Sequence, residues 1–300
     1  MATVTTYTAG IAGASGYAGL ELQRLLAAHP AIAATVLQAR SEPYEDIDAA
    51  GLAGCDIAFL CLPHGASREI GSALAAAGTR VVDLGSDFRV GGWLYGLPEL
   101  HRDRLHGATL VANPGCYATA AILALTPLAE AGLIDGPVAI DGKSGVSGAG
   151  KEPSAKTHLP DVHGGVTPYS PTGHRHIAEI EQETGATVTF TPHLLPTSRG
   201  LLVTAYVRLT DPAADLDALY AERYAGEQFI RLGEMPAPQR LAGSNAVAVA
   251  AFADRRTGMA IAVAALDNLV KGAAGQAIQN ANLMLGLEEA LGLTTEGLGA

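Results

Sequence analysis

The chain has 300 residues, 48% of them hydrophobic and only 16% charged, with a formal net charge of −11. That length fits one large domain or two medium ones, and the apolar fraction excludes a disordered chain. The acidic balance excludes a nucleic-acid surface, which needs a basic stripe, but leaves room for a small anionic ligand held by local cations.

Gly, Pro or a charge interrupts every apolar run before the roughly 20 residues a membrane helix requires, so no membrane span is expected. The N-terminus lacks a basic n-region, and the expected location is the cytoplasm. Three cysteines without a CxxC spacing argue against a disulfide framework and against a metal site.

The first third of the chain alternates in character. "TYTAGIAG" reads as a strand leading into "GYAGLELQRLLAAHP", a helix with an apolar stripe at Leu20, Leu22, Leu25 and Leu26 that ends at Pro30. "AIAATVLQAR" is the next strand, followed by "DIAFLCLP", the helix "GASREIGSALAAAG" and the strand "TRVVDLGS". Repeated β-α-β units predict a doubly wound parallel sheet of Rossmann type. Cys55 and Cys61, in "GCDIAFLCLP", read as buried inert thiols.

Between the first strand and first helix lies "GIAGASGYAG", with Gly10, Gly13, Gly16 and Gly19 three residues apart. This is the setting of a dinucleotide-binding turn: backbone without Cβ atoms approaches a pyrophosphate, and free N–H groups at the helix start favour its charge. Gly13, Ala14, Ser15, Gly16 and Tyr17 are the candidate cofactor contacts. The second strand ends in "LQARSE", offering Arg40 and Ser41 where NAD-preferring sites place a carboxylate. A guanidinium and a hydroxyl suit a 2′-phosphate, so NADP(H) is the expected cofactor.

"VANPGCYATAAILALTP" follows. Pro114 and Gly115 form a turn and Cys116 opens a helix, where unpaired N–H groups and the helix dipole lower a thiol pKa. Such a thiol can attack an activated acyl group and hold it as a thioester for hydride transfer; the competing reading is a small buried residue at a helix start. Beyond it, "PVAIDGKSGVSGAG", "ATVTFTPHLL" and "GLLVTAYVRL" are β-rich, "PAADLDALYAERYAG" is helical, and "NAVAVAAFAD" and "MAIAVAALDNLV" form a hairpin around 254–258. These predict an α+β domain with a mixed or antiparallel sheet. A final helix, "KGAAGQAIQNANLMLGL", closes the chain.

A thioester reduction needs a group that protonates or stabilises the developing oxyanion, and histidine is suited near neutral pH. "GHRH" places His174 and His176 on alternate positions around Arg175. An extended segment puts both rings on one face, whereas a helical start spreads them by about 200°. His193 in "TPHLLP" is the rival, before a strand bearing Arg199, with a core or structural role as the competing reading. His64 in "LPHG" follows a strand end and suits either a cofactor contact or a helix cap, while His29, His101 and His106 read as helix-end or surface residues. The loop "SGVSGAG" can cradle an anion with its N–H groups and the Ser144 and Ser147 hydroxyls, with Gly148 between them and the following helix. Lys143, Lys151, Arg175 and Arg199 are candidates for a phosphate or a carboxylate.

"NPGCYATAAILALTPL" resembles the active-site signature of the N-acetyl-γ-glutamyl-phosphate reductases, relatives of aspartate-semialdehyde dehydrogenase. "GASGYAGLELQRLLAAHP", "LPHG", "VVDLGSDFR", "YGLPEL", "DGKSGVSGAGKEPS", "GHRHIAEIEQE", "FTPHLLPTSRGLL" and "LDNLVKGAAGQAIQNANLMLGL" resemble that family's blocks in its order. The resemblance implies NADPH-dependent reduction of a small acyl phosphate to an aldehyde with release of phosphate, in the acetylated route to arginine. It implies Cys116 as nucleophile, His174 first and His176 second as the acid–base group, Asn113 in the substrate site and Asn268 near the nicotinamide amide. A homodimer or homotetramer is expected.

Two stretches are shorter than the family pattern, at 41–50 and at 90–97, and "GSNAVAV" lacks an aromatic after its Asn. Both short stretches are read as trimmed surface of the cofactor domain. The sister reading is a reductase acting on an aminoadipyl or glutamyl phosphate carried by an amino-group carrier protein; "PTGHRH" is compatible with it, but no basic docking patch is evident. The non-enzyme reading is an NADP-binding sensor, which a replaced cysteine or histidine would betray. The expected organisation is an NADP-binding domain of residues 1–116 and 269–300 around a catalytic, substrate and oligomerisation domain of 117–268, with Cys116 at the seam.

Overall fold

The computed structural model describes residues 6–155 and 157–298. The chain forms two compact units, one of residues 1–115 and 273–294, the other of 116–272 and 295–300.

The first unit runs β1 (Tyr7–Ala12), α1 (Tyr17–Leu26), β2 (Ile32–Gln38), α2 (Ala49–Ala53), β3 (Ile57–Leu60), α3 (Ser67–Ala76), β4 (Arg80–Asp83), β5 (Leu94–Tyr95), α4 (Pro98–Leu105) and β6 (Leu110–Ala112). Its six strands are ordered β2-β1-β3-β4-β6-β5, and each neighbouring pair is parallel. The order reverses at β1, as in the doubly wound sheet the sequence predicts. β3 is buried along its whole length and β1 along its last four residues, which is why they read as continuous apolar runs rather than as alternating ones.

The turn after β1 depends on two close approaches. Gly13 has φ +82°, and a Cβ there would lie 2.3 Å from the Cys61 carbonyl oxygen. A Cβ on Gly19, inside α1, would lie 2.3 Å from the Gly13 carbonyl oxygen. The spacing of these glycines therefore serves strand-to-helix packing before it serves any ligand.

The second unit runs α5 (Cys116–Glu130), β7 (Val138–Gly145), α6 (Leu159–Val162), β8 (Thr167–Pro168), α7 (His176–Thr184), β9 (Val188–Leu195), β10 (Leu201–Arg208), α8 (Leu216–Arg223), β11 (Ile230–Arg231), β12 (Val247–Asp254) and β13 (Met259–Leu266). The seven strands are ordered β11-β12-β13-β10-β7-β9-β8. The sheet is mixed: β7 and β9 are parallel, while β10 pairs antiparallel with β7 and β13. β12 and β13 form the expected hairpin. α5 packs on β10, β13 and β12 and is buried from Tyr117 to Leu128 except at its ends, so it is apolar all round.

The last predicted helix divides. A π-helical turn, Val270–Ala274, precedes α9 (Gly275–Met284), which belongs to the first unit and packs on α4, β4 and α1. α9 explains the Gln/Asn-rich sequence there. Asn280 donates to the Gly96 carbonyl at 2.8 Å and to Asn113 Oδ1 at 3.0 Å, and Asn282 Oδ1 lies 3.1 Å from His29 Nε2. His29 Nδ1 accepts from the Ala31 and Ile32 N–H groups, so its proton sits on Nε2 and the ring is a structural clasp. Among the described residues no helix is long and apolar enough to cross a membrane.

Candidate active site

In the first unit, the Gly13 and Ala14 N–H groups both donate to the Gln38 carbonyl, which fixes the turn against β2. The Tyr17, Ala18 and Gly19 N–H groups open α1 and have no acceptor within the helix. Gly16 has an ordinary φ of −74°, and a Cβ on it would only touch the Gly13 carbonyl oxygen at 3.4 Å. Nothing in the packing forbids a side chain at Gly16, so its absence leaves an open cradle at the helix start. The residues present therefore fit a dinucleotide pyrophosphate. Arg40 and Ser41 are exposed after β2, at the head of an acidic loop, "SEPYEDID", in which Arg40 supplies the cation.

His64 is not the helix cap. The α3 cap is Asp87, which accepts from the Gly65 and Ser67 N–H groups at 2.7 and 3.0 Å. His64 lies on the outside of that carboxylate, its Nδ1 3.1 Å from Asp87 Oδ1.

In the second unit, Cys116 is the first residue of α5 and partly exposed. A Cβ on Gly272 would fall 2.7 Å from the Cys116 Cβ, so Gly272 keeps space over the thiol. Tyr117 is buried and donates to the His193 carbonyl at 2.8 Å. Tyr169, which the sequence reading passed over, forms a phenol pair with Tyr117 beside the thiol. Burial, and then the Cys116 sulfur, push the Tyr169 hydroxyl up to about 12. Tyr117 moves the same way through burial, Tyr169 and Cys116.

His174 sits in an aromatic box. Its ring centroid is 5.2 Å from Phe190, 5.6 Å from Tyr169, 5.9 Å from Tyr117 and 4.5 Å from His176. Its Nδ1 accepts from the His176 N–H at 3.2 Å. Burial, helped by the Arg175 charge, lowers its pKa from 6.5 to about 4. His176 begins α7, and Glu179, one turn later on the same face, brings Oε1 within 3.8 Å of its Nε2, both side chains being buried. The two histidines thus have unlike neighbours. One is held neutral among rings; the other has a carboxylate behind it.

His174 has a consequence for stability. An unfolded histidine takes up its proton near pH 6.5, whereas the folded ring resists until about 4. Between those values the unfolded state binds more protons, so stability falls as pH drops through that window, by at most about 3 kcal/mol. In His174→Phe, urea midpoints measured from pH 7.5 to 4.5 are expected to fall less steeply than in the parent.

The "SGVSGAG" loop follows β7 and is tied down by its own polar groups. Ser147 Oγ donates to the Ser198 carbonyl at 2.5 Å and receives the Asn268 amide at 2.8 Å, while Asn268 Oδ1 accepts from the Gly200 N–H at 2.8 Å. Ser144 is buried beside Tyr117, and Gly148 lies against its hydroxyl, where a Cβ would come to 3.0 Å. Arg199 Nη1 lies 3.3 Å from the buried Asp267 carboxylate, which also accepts from the Gly243 and Leu269 N–H groups. Arg199 is partly exposed, and Arg175 is exposed just before α7.

Three expected site residues have partners within their own units. Asn113, expected at the substrate, is fully buried; its amide donates to the Ala273 carbonyl and its oxygen accepts from Asn280. Asn268, expected at the nicotinamide, has both amide ends engaged within the second unit. His193 is not with the thiol. Along β9, Phe190, Pro192 and Leu194 are buried, so alternation turns His193 to the opposite face, 3.0 Å from Asp141. Among the described residues no group of three or more His, Cys, Asp or Glu side chains could hold a metal ion.

Residues 8–108 match the family model described as semialdehyde dehydrogenase, NAD binding domain, and residues 116–268 match semialdehyde dehydrogenase, dimerisation domain. The chain is 42% identical over 348 aligned positions to an N-acetyl-gamma-glutamyl-phosphate reductase of Symbiobacterium thermophilum, covering 97% of this chain and 99% of the relative. It is 43% identical over 344 positions to the reductase so named in Thermus thermophilus, covering 96% and 99%. An alignment of 348 positions against 300 residues leaves at least 48 positions without a residue of this chain. In fold, it is similar to the aspartate semialdehyde dehydrogenase II of Vibrio cholerae, with TM-score 0.77 at 19% identity over 94% of this chain and 99% of that one.

Proposed function

The chain belongs to the semialdehyde dehydrogenase family, and from that premise we propose that it reduces N-acetyl-γ-glutamyl phosphate to N-acetyl-glutamate 5-semialdehyde, with NADPH as donor and phosphate as co-product. The observation that carries this reading is the 42% identity to a reductase of that name over 97% of the chain. The thiol, phenol and imidazole cluster around Cys116 supports it with chemistry of the right kind.

Cys116 is the nucleophile. The N–H groups at the start of α5 favour its thiolate, which attacks the acyl carbon; the C–O bond to phosphate breaks and a thioester forms on sulfur. The Ser144–Gly148 loop and Arg175 face the departing phosphate with N–H groups and positive charge, and Arg199, held by Asp267, takes the substrate carboxylate. When bound, the nicotinamide supplies the hydride that converts the thioester to a thiohemiacetal. His176, backed by Glu179, gives the proton to the oxyanion of that adduct and takes it back as the C–S bond breaks, releasing the aldehyde and restoring the thiolate. His174 acts as a positioning residue: its aromatic box and its bond to the His176 N–H hold the start of α7.

The Gly13–Tyr17 turn and the first N–H groups of α1 bind the cofactor pyrophosphate, and Arg40 with Ser41 binds the 2′-phosphate. Three outcomes are expected. Gly16→Ala should leave the urea midpoint close to the parent's and weaken NADPH binding at least tenfold, measured by fluorescence titration. Gly13→Ala, forced into a left-handed conformation against backbone, should cost more than about 2 kcal/mol of stability. Arg40→Ala should raise the NADPH Kd by about ten- to a hundredfold, the value of one or two charge-assisted hydrogen bonds, and leave NADH nearly unchanged.

The reading is tested in reverse: NADP+ reduction by N-acetyl-glutamate semialdehyde, with and without inorganic phosphate. Phosphate-dependent NADPH formation is expected. Binding of NADP without turnover of this aldehyde, alongside turnover of a carrier-protein-linked one, would replace it with the carrier-linked reaction.

A further inference from the structure

Asp267, fully buried just after β13, divides its carboxylate oxygens among three segments of the second unit. Oδ1 accepts from the Leu269 and Val270 N–H groups of its own turn, at 2.8 and 3.3 Å. Oδ2 accepts from the Gly243 N–H, before β12, at 2.7 Å and lies 3.3 Å from Arg199 Nη1, before β10. A carboxylate this deep needs such partners, because burial removes the water that would solvate its charge. Moving one donor therefore disturbs the seat of the others.

Gly243 ends a loop, 238–243, that meets the Arg199 turn by two routes. One is the shared Asp267 carboxylate. The other is Pro238, whose Cβ lies 2.8 Å from where a Cβ on Gly200 would fall. Gly243 has φ +83°, a conformation that L side chains rarely adopt, so this turn keeps its shape with glycine there. The Ser244 N–H and hydroxyl both donate to the Leu241 carbonyl, at 3.0 and 2.9 Å, and Leu241 is buried with Ala246, Ala248 and Ala265.

Residues 295–298, which belong to the second unit, lie against that loop. The Leu298 N–H donates to the Ala242 carbonyl at 2.8 Å, and Leu298 Cγ lies 2.8 Å from where a Cβ on Gly243 would fall. Gly297 passes so close to the Arg240 carbonyl oxygen that a Cβ would overlap it. Arg231 of β11 donates to the Thr295 carbonyl and lies 3.2 Å from Glu296 Oε1. Leu298 is 84% exposed, so polar contacts and the close approach of glycine, rather than apolar burial, hold the segment.

We propose, resting on the carboxylate-binding role given to Arg199 above, that residues 295–298 form a strap that positions Arg199 through the 238–243 loop and Asp267. The strap acts on the substrate only through the guanidinium. A fork that meets a carboxylate in two parallel hydrogen bonds is sensitive to a small tilt, so loosening the strap weakens that contact and little else.

The test compares N-acetyl-glutamate semialdehyde with its neutral methyl ester in NADP+ reduction with phosphate. The ratio of kcat/KM for acid over ester reads the carboxylate contact alone. Arg199→Ala should lower that ratio by about ten- to a hundredfold, and Asp267→Asn by about as much. Gly297→Val, and a chain ending at Thr294, should each lower it about threefold or more through KM for the acid. In both, kcat/KM for the ester and the NADPH Kd should stay within about twofold of the parent's, while amide hydrogen exchange at 241–245 quickens. Should both fail to fold, Arg231→Ala, which releases only Thr295 and Glu296, carries the same expectation. Folded strap variants that keep the parent's ratio, or that lose acid and ester alike, would overturn the proposal. A parent inactive on both aldehydes, or an Arg199→Ala chain with the parent's ratio, would instead overturn the reading of the site on which the strap depends.

Discussion

Cys116→Ser should fold as the parent does and lose reductase turnover by about 10⁴-fold or more, the scale of loss when a covalent nucleophile is removed. Serine is smaller and fits the space that Gly272 leaves open. Its hydroxyl, however, stays protonated at a helix start that suffices for a thiol. The measurement that isolates the step is phosphate release from the acyl phosphate without cofactor. The parent should release one equivalent per chain as the thioester forms, and the serine variant none. A serine variant that kept a full burst would show that the acyl group transfers elsewhere.

His176→Asn should lower kcat by about 10²–10⁴ and change KM by only a few fold, as expected for a group that moves a proton in the transition state. Glu179→Gln should have a smaller effect, about tenfold, and should move the alkaline limb of the kcat/KM profile to lower pH, because a neighbouring carboxylate favours the charged imidazole that donates the proton. His174→Asn provides the contrast. It should disturb the start of α7 and soften the pH dependence of stability while leaving that limb in place. Equal losses from both histidine variants with an unmoved limb in Glu179→Gln would return the proton to His174.

The unlike settings of the two histidines could not be read from "GHRH" alone. His174 meets Phe190, sixteen residues away in sequence and on another element, and Tyr169, for which no spacing rule gives notice. Glu179 was within reach of sequence reasoning: "HIAE" puts a carboxylate three residues after His176, and a helix beginning at His176 brings the two together. His193 was also legible in part. Once "VTFTPHLL" is a strand, Phe190 and Pro192 inward means His193 outward.

The sequence by itself determined the doubly wound parallel sheet, the glycine turn, the helix-start thiol, the β-rich second segment and the family. These follow from local order, because strand and helix periods, turn residues and block sequence are carried by near neighbours. Only the tertiary structure decided which partners each polar group has. Asn113 and Asn268 match the family's blocks, yet their amides are consumed by α9 and by the Ser147 loop. A buried polar group must be satisfied wherever the fold places it, and that accounting exists only once distant segments meet.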